Sequence, residues 1–345
     1  MRKILIVRLS SLGDVILTMP VITALRQAFP DDRLYYLTTK PYQELVEMNA
    51  CLNQVDSIDS YHGFQWFTSL FKAIKLFRNE KIDVVVDLHF NHWSYPHAVI
   101  WLFIFTRCIG VSKRIKAYRP AFQRRSMRNQ STVHVLDWYQ RSLERHDIQM
   151  YPVFSSSVFS VDMKHAREYL SERGIIPGAM VLGFAPEASC PHKRWNIENF
   201  RDVSRSLAKT MQAKTIVFTK DARSPLKTCF GKDIGEGTCI HVGGFSLKEI
   251  AAFLSCCSLL ITNDSGLMHM AFALGIPVVA IFGPTHPCLG YAPFGPKARV
   301  FYSDISCSPC SSWGDKRCTL KARECFNQIS PDQVVLGVRD LLKQQ

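Results

Sequence analysis

Four short stretches of this chain carry residue types that can do chemistry at the spacing the chemistry needs. Near the N-terminus, Ser10-Ser11-Leu12-Gly13-Asp14 follows an apolar run. Gly13 permits a tight strand-to-helix turn, and Asp14 would lie at the mouth of a sheet. A carboxylate there can take a proton from a hydroxyl, or simply complement a helix dipole. Past mid-chain, His192-Lys193-Arg194-Trp195 follows another apolar run. Cations there can neutralise a phosphate leaving group, or belong to a solvated basic loop. Asn263-Asp264-Ser265-Gly266 opens an apolar helical segment that contains His269. The amides of Ser265, Gly266 and Leu267 can hold a diphosphate. His269 would contact that ligand or sit in the core, and Asp264 would cap the helix, bind a ribose or a metal, or repel phosphate. The fourth stretch is Cys307-x2-Cys310-x7-Cys318-x6-Cys325, ringed by Lys316, Arg317, Lys321 and Arg323. Neighbouring cations favour thiolates. Four thiols so spaced suit a closed tetrahedral zinc or iron centre of structural type, with free thiols or disulfides as the alternative.

The elements that must position these groups follow from the apolar pattern. Lys3–Val7, Leu34–Leu37, Val55–Ile58 and Val84–Val86 read as buried strands. Helical periodicity covers Val15–Ala28 with a kink expected at Pro20, then Tyr42–Met48, Phe64–Phe77 and Val133–His146. The basic stretch Lys113–Arg128 has no clear period and reads as a loop. Ser155-Ser156-Ser157 resembles a linker and is followed by a helix over Met163–Arg173. The second half repeats the alternation. Strands are expected at Val181–Ala185, Thr215–Phe218, Ile240–Val242, Leu259–Thr262 and Val278–Phe282. Helices are expected over Ile197–Met211, after the capping box Ser246-Leu247-Lys248-Glu249, after Ser265, and over Pro331–Leu342. Strands alternating with helices predict an α/β protein of two doubly wound parallel-sheet domains facing a cleft. The first would span 1–160, the second 175–330, with a last helix over 331–345.

Composition narrows the function. The 345 residues carry a net charge of +13, with Lys113, Arg114, Lys116, Arg119, Arg124, Arg125 and Arg128 close together. Such an excess suits an anionic partner: a phosphorylated substrate, an anionic membrane surface or nucleic acid. Only Tyr118 and Phe122 are aromatic in this basic stretch, and nucleic acid is not the expected partner. The run Ala98–Phe105 is far shorter than the roughly 20 residues of a membrane span, and the N-terminal pattern is not that of a signal peptide. Cytoplasm is the expected compartment. The eight cysteines outside the cluster lie mostly among apolar neighbours and read as small core residues.

Taken together, SSLGDVILTMP, PHKRW and TNDSGLMHMAFALGIPVVAIFGPT, in that order, resemble the lipopolysaccharide heptosyltransferases of glycosyltransferase family 9 over essentially the whole chain. The resemblance implies a GT-B fold of two Rossmann-like domains. It implies an inverting enzyme, and the basic first domain would suit docking of a cytoplasmic protein on the inner face of the inner membrane. The enzyme would move heptose from ADP-L-glycero-β-D-manno-heptose to a Kdo or heptose hydroxyl of the lipopolysaccharide core. No cofactor is required for that transfer. Asp14 matches the family's general base and Lys193 its diphosphate-binding lysine. Asp264, Ser265, Gly266 and His269 match the nucleotide-binding block, and Asp221 stands where an acidic ribose contact is expected. Ser11, Gly13, Arg119, His134 and Arg141 are candidate acceptor contacts. The last helix would be able to cross back to the first domain. Autotransporter heptosyltransferases, which modify protein, carry a similar cysteine cluster and form the second reading. A non-catalytic basic nucleotide- or nucleic-acid-binding protein is the alternative of another class.

Overall fold

A computed structural model describes residues 1–59, 65–89, 103–111, 113–117, 133–154, 159–226, 230, 239–318 and 322–344. The chain divides into two compact units that meet in sequence between Ser160 and Val161. The helix Lys164–Ser171 therefore belongs to the second unit, just beyond the linker expected at Ser155–Ser157.

The first unit holds a parallel sheet of described strands in the order β3-β2-β1-β4-β5. These are β1 Lys3–Val7, β2 Arg33–Thr39, β3 Gln54–Ile58, β4 Val84–Asp87 and β5 Lys113–Lys116. β1 is central because its apolar side chains are covered on both faces, the usual state of a parallel sheet. On one face Leu5, Val7, Leu37 and Val85 meet Leu70, Ala73 and Phe77 of the helix Gln65–Phe77, together with Phe105. On the other face the helix Met19–Ala28 packs against Val135–Glu144. Two expectations are corrected here. The segment Val15–Ala28 is not one kinked helix: Leu12–Ile16 and Met19–Ala28 are separate, with Pro20 in the first turn of the second, where its missing N–H costs nothing. The start of the basic stretch is not a loop, because Lys113–Lys116 pairs in parallel with Val84–Asp87.

The second unit holds the order β11-β10-β9-β6-β7-β8. The strands are β6 Val181–Ala185, β7 Lys214–Thr219, β8 Cys239–Gly243, β9 Leu259–Asn263, β10 Val278–Ile281 and β11 Ala298–Phe301. The edge strand β11 is an addition to the expected set. Phe200, Val203 and Leu207 of the helix Ile197–Met211 build one core with Val334, Val338 and Leu341 of the helix Pro331–Lys343. That last helix thus packs into the second unit's own core. The other face carries Lys164–Ser171, Leu247–Ser255 and Gly266–Ala273, packed in series. Among the described residues, no helix is long and apolar enough to cross a membrane.

Candidate functional site

At the end of β1 the chain leaves the sheet through Arg8, Leu9 and Ser10, and Ser11 caps the helix Leu12–Ile16. Asp14 is the third residue of that helix and only 3% exposed. Its Oδ2 accepts from the Ser11 amide at 3.1 Å, the Ser11 hydroxyl at 3.0 Å and the Arg8 guanidinium at 2.9 Å. Its Oδ1 is buried with no hydrogen-bond partner among the described residues. Burial pushes the Asp14 carboxyl up, but Arg8 and the two Ser11 donors outweigh it and hold it below the usual carboxylate value. Asp14 is therefore ionised at neutral pH, with one oxygen saturated and one open.

Arg8 is itself braced. It donates to Ser10 O at 2.7 Å and Leu88 O at 2.6 Å. His89 Nε2 accepts from the Leu9 amide at 3.1 Å, so the ring proton sits on Nδ1, 3.1 Å from Asp87 Oδ1. Burial, then Arg8, lowers the His89 pKa despite Asp87, which fits this neutral tautomer. Asp87 Oδ2 accepts from Arg114 at 2.6 Å. Burial works against its ionised form, but His89 and Arg114 keep its pKa below the usual value. Asp87 and His89, just past Val84–Val86, give a support of Asp14 that sequence reasoning missed. The available signal was Arg8, a lone cation breaking an apolar run just before the turn.

In the second unit, β6 ends at Ala185 and the chain reaches the short 3-10 turn Pro191–Lys193. Lys193 Nζ lies 2.8 Å from Asp264 Oδ2, with both side chains largely buried. Asp264 also accepts from the Thr285 hydroxyl at 2.8 Å. Burial raises the Asp264 carboxyl, while Lys193, His269 and Thr285 together hold it below its ordinary value. Asp264 is not the helix cap. Ser265 is extended and its Oγ accepts from the Met268 amide, so Ser265 caps Gly266–Ala273 and Asp264 anchors Lys193. Asn263 accepts from the Trp195 amide at 2.9 Å and donates to Pro186 O at 2.7 Å, tying the Lys193 loop to the end of β9. His269 is buried one turn into the helix, edge-on to Tyr291.

The remaining expected residues are placed as follows. Asp221 is exposed in the turn after β7, accepting from the Arg223 amide. Glu187 pins that turn through the Lys220 amide and the Ser224 hydroxyl, a role no sequence signal announced. His134 caps the helix Val135–Glu144, its Nδ1 accepting from the Leu136 amide. Arg141 lies over the Trp138 ring. Arg119 falls outside the described residues. Cys307, Cys310, Cys318 and Cys325 line one small cavity with His192. Among the described residues, however, no group of three or more His, Cys, Asp or Glu side chains is assembled so that it could hold a metal ion.

A chain of two doubly wound parallel-sheet domains belongs to the GT-B class of fold. Within that class its family is defined by sequence: the profile of glycosyltransferase family 9 (heptosyltransferase) matches residues 49–320, and the chain belongs to that family. The lipopolysaccharide heptosyltransferase 1 of Pseudomonas aeruginosa is 23% identical, over 99% of this chain and 98% of that protein. A family 9 glycosyl transferase from Veillonella parvula has the same fold, with a TM-score of 0.77 at 24% identity over 100% and 98% of the two chains. The E. coli ADP-heptose lipopolysaccharide heptosyltransferase II gives 0.71 at 19% identity over 99% of each. The iron-containing dodecameric glycosyltransferase TibC from enterotoxigenic E. coli gives 0.57 at 15%, over 99% of this chain and 76% of that one.

Proposed function

We propose that this heptosyltransferase moves heptose from ADP-L-glycero-β-D-manno-heptose to a hydroxyl of the lipopolysaccharide inner core, with inversion at the anomeric carbon. One observation carries the reading: Asp14 is an ionised, buried carboxylate with Oδ2 saturated and Oδ1 open. Oδ1 takes the proton of the acceptor hydroxyl as that oxygen bonds to the anomeric carbon. The bond from that carbon to the diphosphate breaks, and ADP departs with the electron pair. A single displacement needs one base and gives inversion; a second carboxylate acting as nucleophile is not required. Lys193 and the amides at the start of Gly266–Ala273 stabilise the departing diphosphate. The test is mass spectrometry of a lipid A–Kdo acceptor incubated with ADP-heptose, with the anomeric configuration of the product read by NMR. Addition of heptose with retained configuration would remove Asp14 from the role of base.

Protein heptosylation is the second reading, favoured by the likeness of the four-cysteine segment to that of autotransporter heptosyltransferases. Transfer to an autotransporter passenger domain but not to lipid A–Kdo would decide for it. We also propose a structural zinc or iron at Cys307, Cys310, Cys318 and Cys325. The support is the spacing of four thiols in one segment; the described side chains are not assembled around a metal ion. Metal analysis of protein purified without oxygen tests this. Finally, the charge of +13 suits attachment to an anionic inner leaflet, each basic residue near the surface contributing about 1 kcal/mol. Vesicle binding that ignores both salt and anionic lipid would exclude such docking.

A further inference from the structure

We infer that residues 307–318 together with Arg323 position the donor lysine, with Gly314 and Arg323 as its positioning residues. This rests on the donor-binding reading of Lys193. Gly314 sits in a turn gathered by Ser311, whose Oγ accepts from the amides of Trp313, Gly314 and Asp315. The aliphatic part of Lys193 lies directly on this glycine. A Cβ at Gly314 would stand 2.2 Å from Lys193 Cγ and 2.3 Å from Cδ, inside any tolerable contact. The lysine stem thus runs over Gly314 to reach Asp264 at 2.8 Å. Arg323 brackets the same residue from the main chain, donating to His192 O and to Arg194 O on either side of it. The segment also grips the turn that supplies Thr285: the Cys310 amide donates to Pro284 O at 3.1 Å and the Ser308 hydroxyl to Gly283 O at 3.3 Å. Both supports of the Lys193–Asp264 pair therefore pass through this segment.

A larger residue at 314 has to push Lys193 off its line to Asp264, and loss of Arg323 frees the main chain around it. The test compares Gly314→Ala with Gly178→Ala. Both glycines have positive φ, +75 and +84, so alanine is strained at either, but a Cβ at Gly178 meets nothing within 4 Å. Two measurements are made on the full chain: ADP affinity by calorimetry, and the rate of Lys193 acylation by an N-hydroxysuccinimide ester, read by mass spectrometry. Gly314→Ala is expected to weaken ADP binding by about tenfold or more, the effect of losing a charge-assisted hydrogen bond, and to speed Lys193 labelling several-fold. Gly178→Ala should match wild type in both. Arg323→Gln should shift both in the direction of Gly314→Ala, and Arg323→Lys should recover part of the loss. If Gly314→Ala does not fold, Arg323→Gln decides, since it adds no backbone strain. Wild-type labelling in the Gly314 and Arg323 variants would overturn the positioning role. If wild type binds no ADP while labelling still rises in Gly314→Ala, the positioning stands and the donor reading fails.

Discussion

Each domain carries a buried ion pair just beyond the ends of its parallel strands, Arg8–Asp14 and Lys193–Asp264, and the two are held differently. In Arg8–Asp14 the cation is tied down, by Ser10 O and Leu88 O, while the carboxylate keeps an open oxygen. In Lys193–Asp264 both Lys193 and Thr285 meet Asp264 Oδ2, and the largely buried lysine stem runs over a glycine. An ion pair by itself does not say which partner works. In the proposed transfer the carboxylate is the working partner of the first pair and the cation that of the second. The proposed proton acceptor then lies in the first domain and the proposed phosphate-binding cation in the second, each from a pair of one cation and one aspartate.

The strongest way to break this contrast is at Asp14. Asp14→Asn keeps the shape and removes the base, so kcat should fall by roughly 10²–10⁴ while ADP affinity stays as in wild type. Loss of ADP binding along with kcat would mean that the first domain's pair also serves the donor. The mirror experiment is Lys193→Met. ADP affinity should fall by about 10- to 100-fold, and stability by about 3–5 kcal/mol because Asp264 is left buried and unpaired. Adding Asp264→Asn to Lys193→Met should return most of the stability, read by denaturant melts, and none of the ADP affinity. Recovery of affinity in the double variant would make Asp264, not Lys193, the donor-facing group.

Arg8→Gln sharpens the contrast through pH. The Asp14 carboxyl is held below its reference value of 3.8, chiefly by Arg8 against the cost of burial. A depressed folded value means the pair's stabilisation is present above 3.8 and is lost as pH falls through the folded value. Removing Arg8 lifts the Asp14 pKa, so the acid limb of kcat/KM should move to higher pH. The fold should weaken by about 3–5 kcal/mol for a broken buried pair. An unmoved acid limb would show that Asp14 is not the base whose ionisation it reports.

The first site was largely legible in sequence because its parts are local. A continuous apolar run ends at Arg8, a helix starts at Leu12, and Asp14 is its third residue. What supports it was not legible. β5 contains a single buried apolar residue, Ile115, and is held by pairing with Val84–Asp87 and by Arg114 on Asp87. Such partners are distant in sequence and leave no local pattern. The second site shows the same limit. Asp264 and Ser265 are both good cap residues, and only the extended backbone at Ser265 settles which one caps. Lys193 was readable as a cation past a strand, but its packing on Gly314 exists only in the folded chain.

The smallest expected effects separate the two serine caps. At Ser265 the hydroxyl accepts from the Met268 amide and Asp264 takes no part in that bond, so Ser265→Ala should cost about 1 kcal/mol of stability and leave ADP affinity within a few-fold. At Ser11 the hydroxyl donates to Asp14 Oδ2 beside the Ser11 amide and Arg8. Ser11→Ala therefore removes one of the donors that depress the Asp14 pKa, and the acid limb should rise in the same direction as in Arg8→Gln, by less. Paired melts and pH profiles of the two variants measure both. Should Ser11→Ala lose stability alone, with its pH profile fixed, the first cap would be structural like the second, and Arg8 with the Ser11 amide would suffice to hold the base ionised.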